Sequence, residues 1–306
     1  MTWHRGFESI VRQNVPLGPM TTYKVGGPAE FFAEPTDAEK LGALLRRAHD
    51  ERINVRWLGH GTNLLVSDSG VRGLVLRLPK PGFGNVDCDG LRVRVGAGHS
   101  LPGLVKWSVS HGLSGLECLQ GVPGTVGAAL RMNAGGKHGE IGTSVRHVAG
   151  FERDGSPFRF DVRDCGFTYR NSALGGRIVM ECELELSAGD AEKSQQALSD
   201  ILTEKCRTQP MNARSAGCVF KNPKILGVPP AGRLIDELGL KGARVGGASV
   251  SMKHANFLIC EQGATANDLV QLIRVIRTRA LKERSVELHL EVEAWGFSAG
   301  ELNAVA

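Results

Sequence analysis

At 306 residues the chain is long enough for two or three subdomains with cores of their own, and its 42% apolar and 23% charged content is that of a soluble globular protein. The modest net charge of +5, without a basic block interleaved with aromatics, argues against nucleic acid and for small anionic ligands. No apolar run reaches the length of a membrane span, the N-terminal MTWHRGFESI lacks a signal-peptide core, and the seven cysteines are scattered without a CxxC pair. Reduced thiols, no metal site and a cytoplasmic location are therefore expected.

In chain order, residues 1–20 read as a lead-in and Thr21–Gly27 (TTYKVGG) as a short strand ending in a glycine pair. Thr36–Glu39 has the spacing of a capping box, and Leu41, Leu44, Leu45 and Ala48 follow on one helical face. Val55–Leu58, Leu74–Leu78 and Leu91–Val95 read as strands, and Leu101–His111 as a helix capped by Ser100 and stopped by Gly112. A glycine-rich stretch, Leu119–Gly142, comes next. Alternation near Val145–Phe151, Phe158–Val162 and Arg177–Leu186 predicts an antiparallel sheet, and Asp190–Arg207 a helix leaving it. The aperiodic 207–214 marks a boundary. Beyond it lie a helix near Gly232–Leu238, a second capped by Thr265 with Leu269, Leu272, Ile273 and Ile276 inward, and an alternating strand Val286–Ala294. The pattern is α+β, in three parts: 1–80, 81–206 and 207–306.

Two glycine runs stand out. Leu119–Gly142 reads LQGVPGTVGAALRMNAGGKHGEIG, and Trp57–Val66 reads WLGHGTNLLV. Glycine admits positive φ and lets another surface approach the backbone, and concave runs of N–H groups attract phosphate. A tight corner within a sheet would use glycine too. The Trp57–Val66 run is not a Rossmann fingerprint, because Leu64–Val66 continue as a strand instead of opening a helix. The two runs suit the two lips of a phosphate cradle for a long dinucleotide.

Together they resemble the FAD-binding halves of the UDP-N-acetylenolpyruvoylglucosamine reductase family, in which a Gly-Ser-Asn loop precedes a Pro-Gly-Thr-Val-Gly loop. Thr62 replaces the serine, and Ala128 stands where a further glycine is usual. The resemblance implies a two-part FAD-binding region of the UDP-N-acetylmuramate dehydrogenase/vanillyl-alcohol-oxidase type, followed by a C-terminal α+β substrate domain. It implies non-covalent FAD held by Gly59, Gly61, Thr62, Asn63 and Leu64 from one loop. The other would contribute Gly121, Val122, Pro123, Gly124, Thr125, Gly127, Asn133, Ala134, Gly135 and Ile141.

Three further segments extend the resemblance. Phe167–Ser172 (FTYRNS) resembles the family's Tyr-Arg-x-Ser element, which makes Arg170 the group that stabilises the enol form of the substrate carboxylate. Read without the resemblance, Arg170 is an arginine capping a turn. Ala216–Pro223 (AGCVFKNP) resembles Ala-Gly-Ser-x-Phe-Lys-Asn-Pro, with Cys218 in place of the proton-donating serine and Lys221 and Asn222 where the family touches the nucleotide. A cysteine there could equally be a small core hydrophobe. Leu288–Val292 (LHLEV) resembles Leu-Glu-x-Glu-Val, which makes Glu291 the acid that assists protonation, although the strand's polar face could simply be solvated. Lys253–Phe257 (KHANF) is family-like as well, with Lys253 and Asn256 toward the substrate and the histidine structural.

With only Tyr23 and Tyr169 in the chain, the shorter form of the family, without the extra tyrosine loop, is implied. The implied activity is NADPH-dependent, FAD-mediated reduction of UDP-N-acetylglucosamine enolpyruvate to UDP-N-acetylmuramate, in peptidoglycan precursor synthesis, by a monomer. A related flavin oxidase and a non-catalytic UDP-sugar binder are the competing readings.

Overall fold

The structure, a computed structural model, describes residues 3–298 and 300–303. The chain forms two compact units. One comprises the chain through Gln13, Phe31–His60 and Gly73–Glu204; the other comprises Asn14–Glu30, Gly61–Arg72 and the chain from Lys205 onward. The second unit thus includes two segments that lie, in sequence, within the expected 1–80 part. Backbone pairing is the reason: Leu64–Val66 runs parallel to Glu293–Trp295, and Gly27 N donates to Ser67 O at 2.8 Å.

The first unit is built on a five-stranded antiparallel sheet in the order Pro157–Asp161, Val145–Phe151, Ile178–Glu185, Arg92–Gly96, Val86–Asp89. Alternation decides its faces: Val93 and Val95 are buried while Arg92 and Arg94 are exposed. The helix Leu101–Ser110 buries Leu101, Leu104 and Val105; Ser100 Oγ accepts from Gly103 N, and Gly112, at φ +68, follows the last turn. The helix Ala38–Asp50 buries the four apolar residues expected of it, but its cap is Asp37, not Thr36. The Asp37 carboxylate accepts from Lys40 N, so the cap is displaced by one residue and, with a lysine at the third position, no reciprocal box closes. In the same unit Val55–Leu58 pairs parallel with Leu74–Arg77.

The second unit surrounds a core that includes Tyr23, Leu65, Phe220, Ile235, Leu258 and Ile273. Arg244–Val245, Ala248–Val250 and Leu258–Cys260 form an antiparallel sheet. The helix Ala266–Arg284 starts with a complete capping box between Thr265 and Asp268. Asp68 adds both carboxylate oxygens, accepting from Ala266 N and Asn267 N at 2.9 Å, so the donors of the first turn are satisfied.

Three expectations differ from what is observed. The lead-in contains the strand Val11–Pro16. Thr21–Gly27 is not a strand: Lys24 is left-handed (φ +62), and Thr21 Oγ1 donates to Gly18 O and accepts from Lys24 N, closing a local turn. Val286–Ala294 keeps its alternation, with Val286, Leu288 and Val292 buried, yet only Glu293–Trp295 forms a regular strand, and Leu290 makes an isolated bridge to Phe220. Alternating burial requires only an extended chain, whereas a ladder requires a continuous partner. No helix among the described residues is long and apolar enough to cross a membrane.

Candidate active site

In the first unit the glycine stretch is not one loop. A two-turn helix, Val126–Arg131, lies inside it, capped by Thr125, whose hydroxyl accepts from Ala128 N. Gly127 therefore serves packing: a Cβ there would lie 2.3 Å from a ring carbon of Trp57 and 2.7 Å from Ala97 Cβ. Hydrogen bonds tie Gly124 and the start of this helix to the chain just before and at the helix Leu101–Ser110. Leu101 N donates to Gly124 O, Val126 N to His99 O and Gly127 N to Ala97 O, at 2.9 to 3.0 Å. Gly121 (φ +72) and Gly124 (φ +121) hold conformations that residues with a Cβ rarely adopt.

The other glycine run meets this segment at Gly59. A Cβ on Gly59 would lie 2.9 Å from Thr125 Oγ1 and 3.1 Å from Ala128 Cβ, so only glycine permits the approach. Two glycine-bearing backbones are thus held side by side, an arrangement that fits a pyrophosphate-bearing dinucleotide such as FAD.

Asn133 has a different task. It is left-handed (φ +43) and buried; its Oδ1 accepts from Gly142 N and its Nδ2 donates to Thr168 O at 3.2 Å. Ala134 is likewise committed through its backbone, accepting from Ile141 N. Gly135 lies so close to Gly139 O that a Cβ would be 2.2 Å away.

Through Thr168, Asn133 anchors the turn that carries Arg170. Thr168 and Asn171 exchange backbone hydrogen bonds, and Arg170 sits at the tip with φ +55, a conformation costing about 1–2 kcal/mol for a residue with a Cβ. Ser172 Oγ donates to Arg131 O at 2.7 Å and holds the base of the turn to the end of the two-turn helix. The Arg170 guanidinium lies 5.8 Å from the Tyr169 ring centre. The supports Thr168 and Ser172 were not among the expected site residues; only the Ser of the Tyr-Arg-x-Ser element hinted at one of them.

In the second unit the loop Gly61–Leu64 is tied down from both sides. Gly61 O accepts from Thr22 N and Thr22 Oγ1, and a Cβ on Gly61 would strike Met20 O at 2.3 Å. Thr62 is half-buried, and Leu64 is buried and paired with Glu293. Asn63 donates through Nδ2 to Glu291 O at 3.1 Å, and its carbonyl accepts from Glu293 N. Asn63 and Glu291, remote in sequence, are brought together.

Cys218 follows Gly217 (φ +79) and lies on a strand-like segment held on both sides. Glu291 N donates to Val219 O at 2.8 Å on one side, and Val219 N donates to Asn256 O at 2.9 Å on the other. The Asn256 side chain substitutes for a missing strand partner, with Oδ1 accepting from Phe220 N at 2.9 Å and Nδ2 donating to Phe220 O at 2.8 Å. Asn222 Oδ1 accepts from Ala231 N at the start of the helix Ala231–Glu237, and Lys253 Nζ donates to Cys206 O. Lys221 is exposed, its N–H bonded to His289 O. Cys218, Asn222, Lys253 and Asn256 line one cavity of about 330 Å³, which also has Arg233, Asp236 and Lys241 on its walls. His254, on the same cavity, accepts from Asn256 N through Nδ1, and burial keeps its pKa below the ordinary value. Its ring packs against Phe257, with centroids 4.9 Å apart.

Because Asn256 satisfies both the N–H and the C=O of the buried Phe220, Asn256→Ala is expected to destabilise the protein by about 2–4 kcal/mol. Urea unfolding would measure it; a loss under 1 kcal/mol would mean that Phe220 finds other partners.

An α+β frame with a side-chain-poor glycine cradle belongs to the FAD-binding class, and residues 29–156 match the FAD binding domain family. Residues 209–295 match the UDP-N-acetylenolpyruvoylglucosamine reductase, C-terminal domain family. UDP-N-acetylenolpyruvoylglucosamine reductase of Heliobacterium modesticaldum is 38% identical over 301 residues, covering 98% of this chain and 95% of that one. UDP-N-acetylenolpyruvoylglucosamine reductase 2 of Symbiobacterium thermophilum is 42% identical, covering 94% and 93%. The solved structure of the Thermus caldophilus reductase superposes with a TM-score of 0.81 at 40% identity, covering 93% of this chain and 99% of that one. The chain belongs to the UDP-N-acetylenolpyruvoylglucosamine reductase family and is an FAD-dependent oxidoreductase.

Proposed function

We propose that this chain uses NADPH to reduce UDP-N-acetylglucosamine enolpyruvate to UDP-N-acetylmuramate, in the cytoplasm, as a monomer and as a step of peptidoglycan precursor synthesis. The observation that carries the reading is near-full-length similarity to reductases of that name, at 38% to 42% identity. We further propose a division of the chain into FAD-binding parts 1–80 and 81–206 and a substrate part 207–306.

When bound, FAD supplies a hydride to the terminal carbon of the enolpyruvyl group. The chain's own residues manage the charge and the proton. Arg170, always cationic and offering a planar donor fork, holds the substrate carboxylate and stabilises the negative charge that grows beside it. Cys218 Sγ–H gives a proton to the carbon bearing the carboxylate, and Glu291 assists that transfer. Gly59, Gly61, Thr62, Asn63 and Leu64 contact FAD, as do Gly121, Val122, Pro123, Gly124 and Thr125. Gly127, Asn133, Ala134, Gly135 and Ile141 keep that cradle in shape. Lys221, the Asn222 amide group and Lys253 grip the nucleotide, while Asn256 keeps the Cys218 segment in register.

The division of labour separates the half-reactions. Glu291 acts on an intermediate that exists only in the second one, so Glu291→Gln is expected to leave flavin reduction by NADPH near normal. Reoxidation by the enolpyruvyl substrate should slow by at least about tenfold, the order expected of a lost acid–base group. Anaerobic stopped-flow measures both. Equal slowing of the two steps would make Glu291 a general binding or folding residue.

A further inference from the structure

His254 is expected from the sequence to be structural, and it does pack against Phe257. Its two ring nitrogens, however, have different surroundings. Asn256 N donates to Nδ1 at 3.2 Å, so Nδ1 is an acceptor and carries no proton. A neutral imidazole has one N–H, which therefore sits on Nε2. Burial, with the charge of Lys241 added to it, keeps the ring below its ordinary pKa, so the neutral tautomer is the working form. Among the described residues nothing forms a hydrogen bond with Nε2.

The ring is also held in place. Ser251 Oγ accepts from Lys253 N and His254 N, at 3.1 and 3.3 Å, and fixes the backbone beneath it. The Phe257 ring lies against it at an interplanar angle of 60°. Gly232 lies against the Cε1–Nε2 edge: a Cβ there would be 2.7 Å from Cε1 and 3.5 Å from Nε2. Gly232 belongs to the helix Ala231–Glu237 and lines the cavity of about 330 Å³ together with His254. The edge that bears the proton thus faces a wall of that cavity.

The other polar side chains of the cavity favour the same kind of ligand. Arg233, Lys241 and Lys253 can only donate. Asn222 Oδ1 accepts from Ala231 N, which leaves its amino group to offer, and Asn256 has both ends committed to Phe220. The one carboxylate on the walls, Asp236, is paired with Lys241 at 2.6 Å. A diphosphate brings acceptors and no donors, whereas uracil also brings an N–H that this set of side chains is poorly made to receive. We infer that His254 is a specificity-determining residue: fixed as the Nε2–H tautomer, it donates to a phosphate oxygen and reserves the wall it shares with Asn222, Lys241 and Lys253 for the diphosphate of the nucleotide. The inference rests on the reading of the substrate as a UDP-sugar and deepens it, by adding a neutral donor to the cations already assigned there.

Two substitutions separate the two ring nitrogens. In His254→Asn the carboxamide oxygen takes the place of Nδ1 and keeps a partner for Asn256 N, while nothing replaces Nε2. In His254→Gln the longer side chain brings an amino group to the place of Nε2 and leaves Asn256 N without its acceptor. Titration calorimetry on the flavin-loaded proteins should show UDP bound about tenfold or more weakly by His254→Asn, the order expected when a donor to a charged group is lost. His254→Gln should bind UDP within about threefold of native and unfold at lower urea, since it loses one ordinary hydrogen bond. Uridine, which lacks the diphosphate, should bind all three proteins alike. In ligand-free protein labelled with ¹⁵N-histidine, the His254 signals, identified by their loss in His254→Asn, should place the proton on Nε2. A proton on Nδ1, native UDP affinity in His254→Asn, or an equal loss for UDP and uridine would each overturn the inference and leave the UDP-sugar reading standing. A native protein that binds neither UDP nor UDP-N-acetylglucosamine would overturn that reading and the inference with it.

Discussion

Cys218→Ala is expected to accept electrons from NADPH at the native rate and to return them to the enolpyruvyl substrate at least about a hundredfold more slowly, the order of effect of a positioned proton donor. The segment that carries Cys218 is held by Glu291 N at Val219 O and by the Asn256 carboxamide at Phe220, so truncation to alanine removes a thiol without freeing the backbone. Cys218→Ser should retain activity, because a hydroxyl also carries one transferable proton. The two active forms should differ in pH dependence. An ordinary thiol ionises near about 8.5, whereas a serine hydroxyl does not titrate in the working range. With the neutral thiol as the proposed donor, reoxidation by the native protein should slow as pH rises through the thiol's ionisation, and Cys218→Ser should lose that alkaline limb. A single-turnover reoxidation rate in Cys218→Ala equal to the native rate would make Cys218 a packed cysteine and nothing more.

Gly124→Val should yield protein stripped of FAD. Gly124 is buried at φ +121, with its carbonyl bonded to Leu101 N, so the chain cannot relax there without breaking the link to the helix Leu101–Ser110. A β-branched side chain at such a φ is strained by about 1–3 kcal/mol, and in the proposed site it would also take up space meant for the pyrophosphate. Flavin absorbance per protein chain, read alongside the far-ultraviolet circular dichroism, separates loss of cofactor from loss of fold. A folded variant with a full complement of FAD would displace the cofactor from this segment. Gly127→Val should instead unfold the first unit, since its side chain would collide with Trp57.

Those two glycines illustrate what was legible in the chain and what was not. Both read as cradle residues from their spacing, which does not reveal that a Cβ on Gly127 would meet the Trp57 ring. The short helix Val126–Arg131 was hidden for the same reason. Elements with caps and a clear period were legible: Val55–Leu58, the helix begun by Ser100 and the helix begun by Thr265 all lie where expected. Among the candidate site residues, Cys218, Asn222, Lys253 and Asn256 do share a cavity wall. The roles of the asparagines were not legible. The carboxamides of Asn133 and Asn256 bind backbone groups from segments far away in sequence, and only the folded chain reveals which peptide lacks a partner. Nor could periodicity show that Arg170 would be left-handed at a turn tip, or that TTYK would form a turn bonded to Gly61.

The most direct measurement is an anaerobic titration of the purified protein followed by its visible spectrum. The protein should be yellow with FAD that acid releases. One equivalent of NADPH should bleach it, and one equivalent of UDP-N-acetylglucosamine enolpyruvate should restore the colour with formation of UDP-N-acetylmuramate. Colour restored by air but not by the enolpyruvyl sugar would contradict the account and mark the chain as an oxidase.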